Sequence, residues 1–404
     1  MTSMRGSNYL LGFLMGLSPL AIDTYLPSMP QITRDFSTSP NLVQLSVSIY
    51  LLFFAIPQLF FGPLSDSIGR RKTITYGLIL FLIGTLLCAT APTIEIFLAA
   101  RAMQATGSAA ISVTVPALIR DRFSGPDYTS TMGFIMMVMA VSPMVAPALG
   151  GLIFSLAGWR WIFGVLAIFT VCIGLFFKFA IQETLKKERR EKINWQVLFR
   201  NYSTLVKDKH CLCLSISASF VFAGLMTFIS ASPFVYIDLY QIRPENYGYL
   251  FAINVIGLIA ITHINNRLVY KFSNEVILKF AVISIVLSSI GLIVISFFPE
   301  PPLILIIIFC AWFIGNLGVS SANVMSILMA RFTHISGSTA ALIGTFRFGI
   351  ASIAGLAVSL WHTDNSIPLT AVMACCGLLT LGFYLLAGKT PIDDTVNSEL
   401  KTTL

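Results

Sequence analysis

Long apolar stretches recur along the whole chain, and polar residues are confined to the short gaps between them. Each stretch is about 20 residues long, which is the length that a helix needs to cross roughly 30 Å of hydrocarbon. The pattern predicts twelve membrane-spanning helices. Their expected limits are 9–29, 43–63, 73–91, 94–119, 131–156, 161–181, 211–236, 247–264, 276–298, 302–329, 340–360 and 368–386.

One long polar segment interrupts this pattern after the sixth stretch. We therefore expect an N-terminal six-helix bundle over 1–182, a cytoplasmic linker over 183–210, and a C-terminal six-helix bundle with a short tail over 211–404. The halves share a weak repeat, since Arg-Asp-Arg-Phe ends the fourth span and Ala-Arg-Phe ends the tenth. Two related bundles would enclose a cavity near the membrane midplane. The predicted fold class is thus an all-α membrane protein.

Composition excludes the other broad classes. Of 404 residues, 56% are hydrophobic and 11% are charged, against about 25% charged in soluble proteins. A soluble fold and a disordered chain are both excluded. The net charge of +8 does not indicate nucleic-acid binding, because the basic residues lie in short gaps and not on one exposed face. The seven cysteines show neither metal-ligand spacing nor a disulfide framework, so no metal or cofactor is expected.

The basic residues predict the orientation of the chain. Of the 26 Lys and Arg residues, 20 fall in one alternating set of loops and termini and three in the other. Basic residues near span ends resist translocation. Both termini and the linker are therefore expected in the cytoplasm.

Asp23 is the one acid well inside an apolar stretch. A charged group in hydrocarbon is costly, so it is expected to face an interior cavity and to be functional. Arg101 in the fourth span is its candidate partner, because counting residues places the two side chains about 10 and about 9 Å from the same surface. Gln104 would share a helix face with Arg101. The alternative is that Asp23 only neutralises Arg101 and holds two helices together.

Asp23 can act as a proton carrier if its surroundings change. Burial favours the neutral form of a carboxyl, and a nearby cation favours the charged form. If the contact with Arg101 exists in only one conformation, protonation and conformation are linked, which coupling to a proton gradient requires. We therefore predict that Asp23 and Arg101 form a proton-coupling site.

Two further motifs resemble those of a known family. Gly62-Pro-Leu-Ser-Asp66-Ser-Ile-Gly69-Arg70-Arg71-Lys72 lies between the second and third spans, and Pro143 and Pro147 precede Gly150 and Gly151 in the fifth. The first motif resembles the signature of the major facilitator superfamily. The second resembles the antiporter motif of proton-driven exporters, and the segment Arg101–Gly107 resembles their fourth-helix motif, with Ala105 in place of the usual glycine.

The resemblance narrows to the bicyclomycin/chloramphenicol-resistance (Bcr/CflA) family of drug exporters. It is carried over nearly the whole chain by the segments 23–30, 158–163, 183–185, 230–236 and 344–349. It implies twelve helices in two bundles with a central cavity, and proton-coupled drug export across a bacterial inner membrane. It also implies that Asp66 pairs with Arg120 or Arg122 to latch the cytoplasmic face. The matching loop of the second half, from Asn265 to Lys271, lacks the acid and the glycines.

The sequence also offers candidates for the substrate cavity. Aromatic and methionine side chains suit an adaptable apolar pocket, and a few polar-tipped residues accompany them. The candidates are Tyr25, Tyr50, Gln104, Phe222, Met226, Phe228 and Asn254. Arg347 is read as lying a few residues into the eleventh span, where it can reach the lipid surface or the latch.

The sequence as a whole predicts a proton/drug antiporter that works by alternating access as a monomer. Its expected partners are small amphipathic compounds, protons and the lipid bilayer. The alternative is an uptake symporter on the same fold. An enzyme is disfavoured because no polar cluster lies near an interface, and an ATP-driven pump because no nucleotide-binding glycine loop is present.

Overall fold

The protein is a bundle of long helices. The computed structural model describes residues 2–185, 190, 194–298, 301–361 and 365–388, and the regular structure in these ranges is helical throughout. The helices are α1 (Thr2–Asp23), α2 (Met29–Asp35), α3 (Pro40–Ile68), α4 (Arg70–Thr90), α5 (Ile94–Arg122), α6 (Gly125–Ala157), α7 (Trp159–Ala180), α8 (Trp195–Lys207), α9 (Lys209–Pro233), α10 (Pro244–Leu268), α11 (Asn274–Ser296), α12 (Leu303–Arg331), α13 (Ser336–Leu360) and α14 (Ile367–Ala387). Twelve candidate membrane spans are found among the described residues, which confirms the predicted fold class.

The first span is broken where the sequence predicts an uninterrupted stretch. Helix α1 ends at Asp23, a short 3-10 turn follows at Leu26–Ser28, and α2 completes the crossing. Pro27 and Pro30 lack the backbone N–H groups that a continuous helix needs. The Leu20 carbonyl oxygen accepts hydrogen bonds from both the backbone N–H and the hydroxyl of Thr24, at 3.1 and 2.6 Å. Asp23 therefore lies at the end of a helix within the membrane.

Two bundles, α1–α7 and α9–α14, pack against each other along two helix pairs. Helix α3 contacts α13, and α6 contacts α10. Hydroxyl groups join the first pair near mid-membrane, where Ser352 donates to the carbonyl oxygen of Ser48 at 2.7 Å and Thr345 to that of Ala55 at 3.3 Å. The two halves thus meet through direct helix contacts.

The linker contains a helix that the sequence prediction missed. Helix α8 begins after Asn194, whose side chain accepts a hydrogen bond from the Val197 amide at 3.1 Å. Tyr202 donates to the carbonyl oxygen of Leu59 in α3 at 3.3 Å, and Leu205 packs with the start of α9. Burial raises the pKa of the Tyr202 phenol to about 12, so the hydroxyl remains a donor. Helix α8 therefore contacts both halves. Part of the linker and the C-terminal tail, whose basic residues contribute to the predicted orientation, lie outside the described residues.

The two ends of the molecule differ. We call the end that carries Asp66, Arg120 and Arg331 the basic end, and the other the opposite end. At the opposite end the halves are joined by an ion pair between Arg34 and Asp238 at 3.2 Å. At the basic end a cleft of about 470 Å³ separates them. Its lining includes Gln58, Asp66, Arg120, Tyr202, Gly337 and Ala341. A smaller cavity of about 230 Å³ lies between α3 and the C-terminal half at the opposite end, so the wider opening between the halves is at the basic end.

Candidate functional site

Arg101 is fully buried in the N-terminal half. Its guanidinium lies between two aromatic rings, 4.6 Å from the ring centre of Tyr25 and 4.5 Å from that of Tyr50. Nη1 donates to the carbonyl oxygen of Ala21 at 2.9 Å and to Oε1 of Gln104 at 2.5 Å. Cations are attracted both to ring faces and to the carbonyl end of a helix. The last turn of α1 and two tyrosines thus hold the charge of Arg101.

Asp23 is buried, with 3% of its surface exposed, but it forms no ion pair with Arg101. Among the described residues, no carboxylate oxygen lies within 4.0 Å of the Arg101 nitrogens. Within the described part of the chain, Oδ1 of Asp23 has no hydrogen-bond partner, and neither do Nε and Nη2 of Arg101. Buried polar groups of folded proteins are nearly always hydrogen-bonded. Asp23 and Arg101 therefore lie close to the same helix end, and each has polar atoms that form no hydrogen bond with the described residues.

Hydroxyl and amide groups surround the pair. The Tyr25 hydroxyl and Ser46 are 2.8 Å apart, and Nε2 of Gln104 donates to the Thr85 hydroxyl at 2.8 Å. The Tyr50 hydroxyl lies 3.4 Å from Ser18. Ser46, Thr85 and Ser18 could not be predicted as site residues, because isolated hydroxyl residues are common in membrane helices and have no distinctive spacing.

The glycines of α6 bring this site into contact with the other half. A Cβ at Gly150 would overlap the carbonyl oxygen of Thr24, the residue after Asp23, and one at Gly151 would lie 2.9 Å from the carbonyl oxygen of Pro244 in α10. From the α10 side, a Cβ at Gly248 would lie 2.8 Å from the Cα of Ala148. Helix α6 itself runs unbroken through Pro143 and Pro147. Glycine at 150 and 151 thus lets α6 touch both the broken first span and the C-terminal half.

The charge cluster at the basic end differs from the one implied by the resemblance. Asp66 pairs with Arg70 at 2.5 Å, and Arg70 also contacts Asp121 at 3.0 Å. Neither Arg120 nor Arg122 pairs with Asp66, so that expectation is wrong for this conformation. Arg70 is 4% exposed. It can reach both carboxylates because it is the first residue of α4 and lies next to the end of α5.

Gly69 and Glu183 complete this cluster. Gly69 has φ +107°, a left-handed conformation that favours glycine, and it joins α3 directly to α4. Glu183 accepts a hydrogen bond from the Arg70 amide at 2.9 Å and so caps α4. Arg71 donates to the carbonyl oxygen of Lys178 at 2.7 Å. A Cβ at Gly62 would lie 3.8 Å from Cγ1 of Val113, an ordinary contact distance, so packing does not require glycine there. The cluster fixes four helix ends of the N-terminal half to one another, those of α3, α4, α5 and α7.

The C-terminal candidates for the cavity fall into two groups. Phe222 and Met226 lie one turn apart on α9, and Phe222 contacts Phe348 with ring centres 5.0 Å apart. Phe228 instead packs fully buried against Tyr236 and Phe251, and in this conformation it offers no surface to a ligand. Asn254 is 1% exposed; its Nδ2 donates to the carbonyl oxygen of Leu250, and its Oδ1 is unpartnered. Their part in binding stays a prediction.

The chain matches the family model described as Major Facilitator Superfamily over residues 11–356. The chain belongs to the major facilitator superfamily. This confirms the resemblance drawn from the sequence motifs and makes the protein a transporter rather than an enzyme.

Relatives in this superfamily carry names from drug resistance. A bicyclomycin resistance protein homolog from Haemophilus influenzae is 33% identical, over 94% of this chain and 95% of the relative. A chloramphenicol resistance protein from Pseudomonas aeruginosa is 26% identical, over 90% of this chain and 86% of that one. Multidrug resistance protein D from Escherichia coli is 25% identical, over 95% and 97%.

Solved structures show the same fold at low identity. A D-xylose-proton symporter aligns with a TM-score of 0.74 at 13% identity, covering 95% of this chain and 98% of the other. A bacterial homolog of the lysosomal transporter Spinster aligns with a TM-score of 0.71 at 15% identity, covering 95% and 97%. These similarities confirm a major-facilitator fold for a multi-pass membrane protein.

Proposed function

We propose that this superfamily member is a proton/drug antiporter that exports small amphipathic compounds across a bacterial inner membrane. The single observation that carries the proposal is the buried carboxyl of Asp23, which has an unpartnered oxygen beside an Arg101 with two unpartnered nitrogens. A carboxyl held in a fixed ion pair would favour a purely structural role. The drug-resistance names of three relatives support the substrate class.

The mechanism follows from the contacts around Asp23. In the structure open at the basic end, Arg101 is held by the Ala21 carbonyl and Gln104, so Asp23 can carry a proton without losing an ion pair. We expect the closing of the basic end to move the α1 terminus and to change the separation of Asp23 and Arg101. The two conformations would then differ in proton affinity, and linkage requires that protonation in turn shifts the conformational equilibrium.

Orientation and oligomeric state belong to the same proposal. The excess of basic residues in one set of loops would place the basic end in the cytoplasm. The cleft between the halves would then receive compounds from the cytoplasm, and the opposite end would be closed. Both termini would be cytoplasmic. Each chain contains both halves of the cleft, so a monomer would suffice for transport.

Everted membrane vesicles test this proposal. Chloramphenicol added to vesicles with an imposed pH gradient should dissipate the gradient, and Asp23→Asn should reduce the effect to the level of vesicles without the protein. Asp127→Asn is the matched control, since Asp127 is an exposed acid at the start of α6. If Asp23→Asn dissipates the gradient at the normal rate, Asp23 is not the coupling residue. Flux of substrate only into intact cells would favour the uptake symporter.

A further inference from the structure

A second arginine lies at mid-membrane in the C-terminal half. Arg347 is near the midpoint of α13, about 16 Å from its basic end at 1.5 Å per residue. The sequence analysis placed it a few residues inside the span because it set the start of the span at 340, and the helix in fact begins at Ser336. The depth of Arg347 thus excludes a direct contact with the lipid headgroups.

Arg347 points into the bundle and away from lipid. Ala351, Ala354 and Val358 follow it at intervals of four, seven and eleven residues on the same helix stripe, and all three are buried. Residues on the other side of the helix, such as Ile353 and Leu360, are exposed to the lipid. Arg347 itself is only partly buried. Its exposed part therefore faces the interior of the transporter.

The guanidinium of Arg347 has no anionic partner among the described residues. It stacks on Phe222 at 4.2 Å from the ring centre, and its Nε is buried without a hydrogen-bond partner. Phe348 contacts Phe222 and also Phe54 of the N-terminal half, with ring centres 4.5 Å apart. Three aromatic rings and a free cation thus meet where the two halves face each other.

This position adjoins the open cleft. A Cβ at Gly344, three residues before Arg347, would lie 2.8 Å from Oε1 of Gln58, and Gln58 lines the cleft. On α13 the lining of the cleft ends at Ala341, six residues before Arg347, so Arg347 lies about 9 Å deeper than the cleft. A compound that moves from the cleft towards the midplane would reach Arg347 next.

The balance of charge within the membrane favours anions. Among the described residues of the twelve spans, Asp23 is the one carboxyl that lies away from a span end, while Arg101 and Arg347 are both deep cations. A charge at membrane depth without a partner is costly even where it is only partly buried, and its cost is lowered when a ligand supplies the missing group. A cationic ligand would instead be repelled.

We propose that Arg347 and Phe222 form a substrate subsite that binds the negatively charged or hydrogen-bond-accepting group of an aromatic compound and disfavours aromatic cations. Phe222, Phe348 and Phe54 supply the apolar wall for the ring system, and the guanidinium supplies donors for a carboxylate or carbonyl. This inference rests on the proposed export of amphipathic compounds and names their chemical class.

A matched series of naphthalene compounds tests the subsite by equilibrium dialysis with the purified full-length protein. The probes are naphthalene-2-carboxylate, naphthalene-2-carboxamide and naphthalene-2-methylammonium, which share one ring system. We expect the carboxylate to bind about tenfold more tightly than the ammonium compound. The carboxamide should bind with intermediate affinity, because it accepts a hydrogen bond from the guanidinium but carries no negative charge. Arg347→Gln should bring the three affinities to within about twofold of one another.

Two variants separate this role from a purely structural one. Arg347→Lys keeps the charge and should keep the preference for the carboxylate. Arg267→Gln removes an equal charge from an exposed site at the end of α10 and should leave all three affinities unchanged. Equal binding of the three probes to the unaltered protein, an unchanged order in Arg347→Gln, or no binding of any probe would overturn the subsite.

The dialysis needs no proton gradient, so it also separates this inference from the proposed function. Charge selection that depends on Arg347, together with vesicles that show no drug-induced proton flux, would contradict the antiporter and leave the subsite standing. Normal drug-induced proton flux, together with binding that does not depend on Arg347, would contradict the subsite and leave the antiporter standing.

Discussion

Individual residues show how a membrane protein keeps charge in its interior without ion pairs. Arg101 is compensated by two ring faces, a helix-end carbonyl and the amide of Gln104. Among the described residues, the one compensating contact of the Arg347 guanidinium is the ring face of Phe222. The difference suggests separate uses, since Arg101 is held in a built network and Arg347 is left available to a ligand.

The Gln104 amide is the polar link that fixes Arg101, and its removal should destabilise the protein. Gln104→Leu removes one of the two hydrogen bonds of Arg101 Nη1, which still donates to the Ala21 carbonyl oxygen, and one of the two bonds of the Thr85 hydroxyl. Each lost bond costs about 0.5–1.5 kcal/mol, and the bond to the charged guanidinium about 1.5–3 kcal/mol. We expect a clear fall in the free energy of unfolding, measured by denaturant titration in detergent. Gln31→Leu breaks an exposed bond to Asp35 and should change stability by less than about 0.5 kcal/mol. Equal losses in the two variants would contradict this account.

The sequence identifies single residues well where burial alone makes them unusual. Asp23 and Arg101 stand out because charge is rare in apolar stretches, and residue counting correctly places Arg101 beside the end of α1. The partner of Asp66 was not predictable, because Arg70, Arg120 and Arg122 all lie near the same membrane surface and only side-chain packing selects Arg70. The same limit applies to the unpaired state of Asp23.

At the scale of helices, local sequence signals mark features that hydropathy conceals. Pro27 and Pro30 signal the break in the first span, and the spacing of Trp195, Leu198, Tyr202 and Leu205 signals the apolar face of α8. A hydropathy pattern averages over such features because it registers length and apolar content. Hydropathy therefore predicts the number of spans, but it does not show the interruption that positions Asp23.

Helix α6 gives the sharpest test at this scale. Gly150→Ala would place a Cβ against the Thr24 carbonyl oxygen. The atoms that it would overlap belong to the backbone, which cannot move aside as a flexible side chain can. We expect drug-dependent proton flux in vesicles to fall at least about tenfold, because the α1 terminus must shift by a large fraction of an ångström and a misplacement of about 1 Å can cost about 100-fold in rate. Membrane insertion should be retained if the effect is local.

Gly133→Ala is the matched control on the same helix. A Cβ at Gly133 meets no atom within 4 Å, so transport should be unchanged and the helix slightly stabilised, by about 0.5–1 kcal/mol. Normal flux in Gly150→Ala would show that the contact between α6 and the broken span has no part in coupling. Loss of flux in both variants would instead indicate a general intolerance of α6.

The whole molecule combines a cleft open at the basic end with contacts between the halves at the opposite end. Two conformations of an alternating-access transporter share one sequence, so hydropathy and motifs cannot say which end is open. The structure shows that the opposite end is the closed one. The Arg34–Asp238 ion pair and the hydrogen bond from Ser230 to the Gln44 carbonyl oxygen at 3.5 Å both join the halves near that end. The ion pair is exposed and contributes little by itself. Tight packing of α3 on α13 is the stronger restraint.

That packing allows a direct test of alternating access. A Cβ at Gly355 would lie 3.6 Å from the Cβ of Ser48, within the range of about 3.5–4.5 Å for a disulfide. We expect the double variant Ser48→Cys, Gly355→Cys to lose transport on oxidation and to regain it on reduction, because the bond would hold α3 and α13 together in the half nearer the opposite end. Each single variant, treated with the same oxidant, controls for the free cysteines already present. If the cross-linked protein transports at the normal rate, separation of α3 from α13 is not part of the cycle, and the halves must exchange access by a motion that leaves this contact intact.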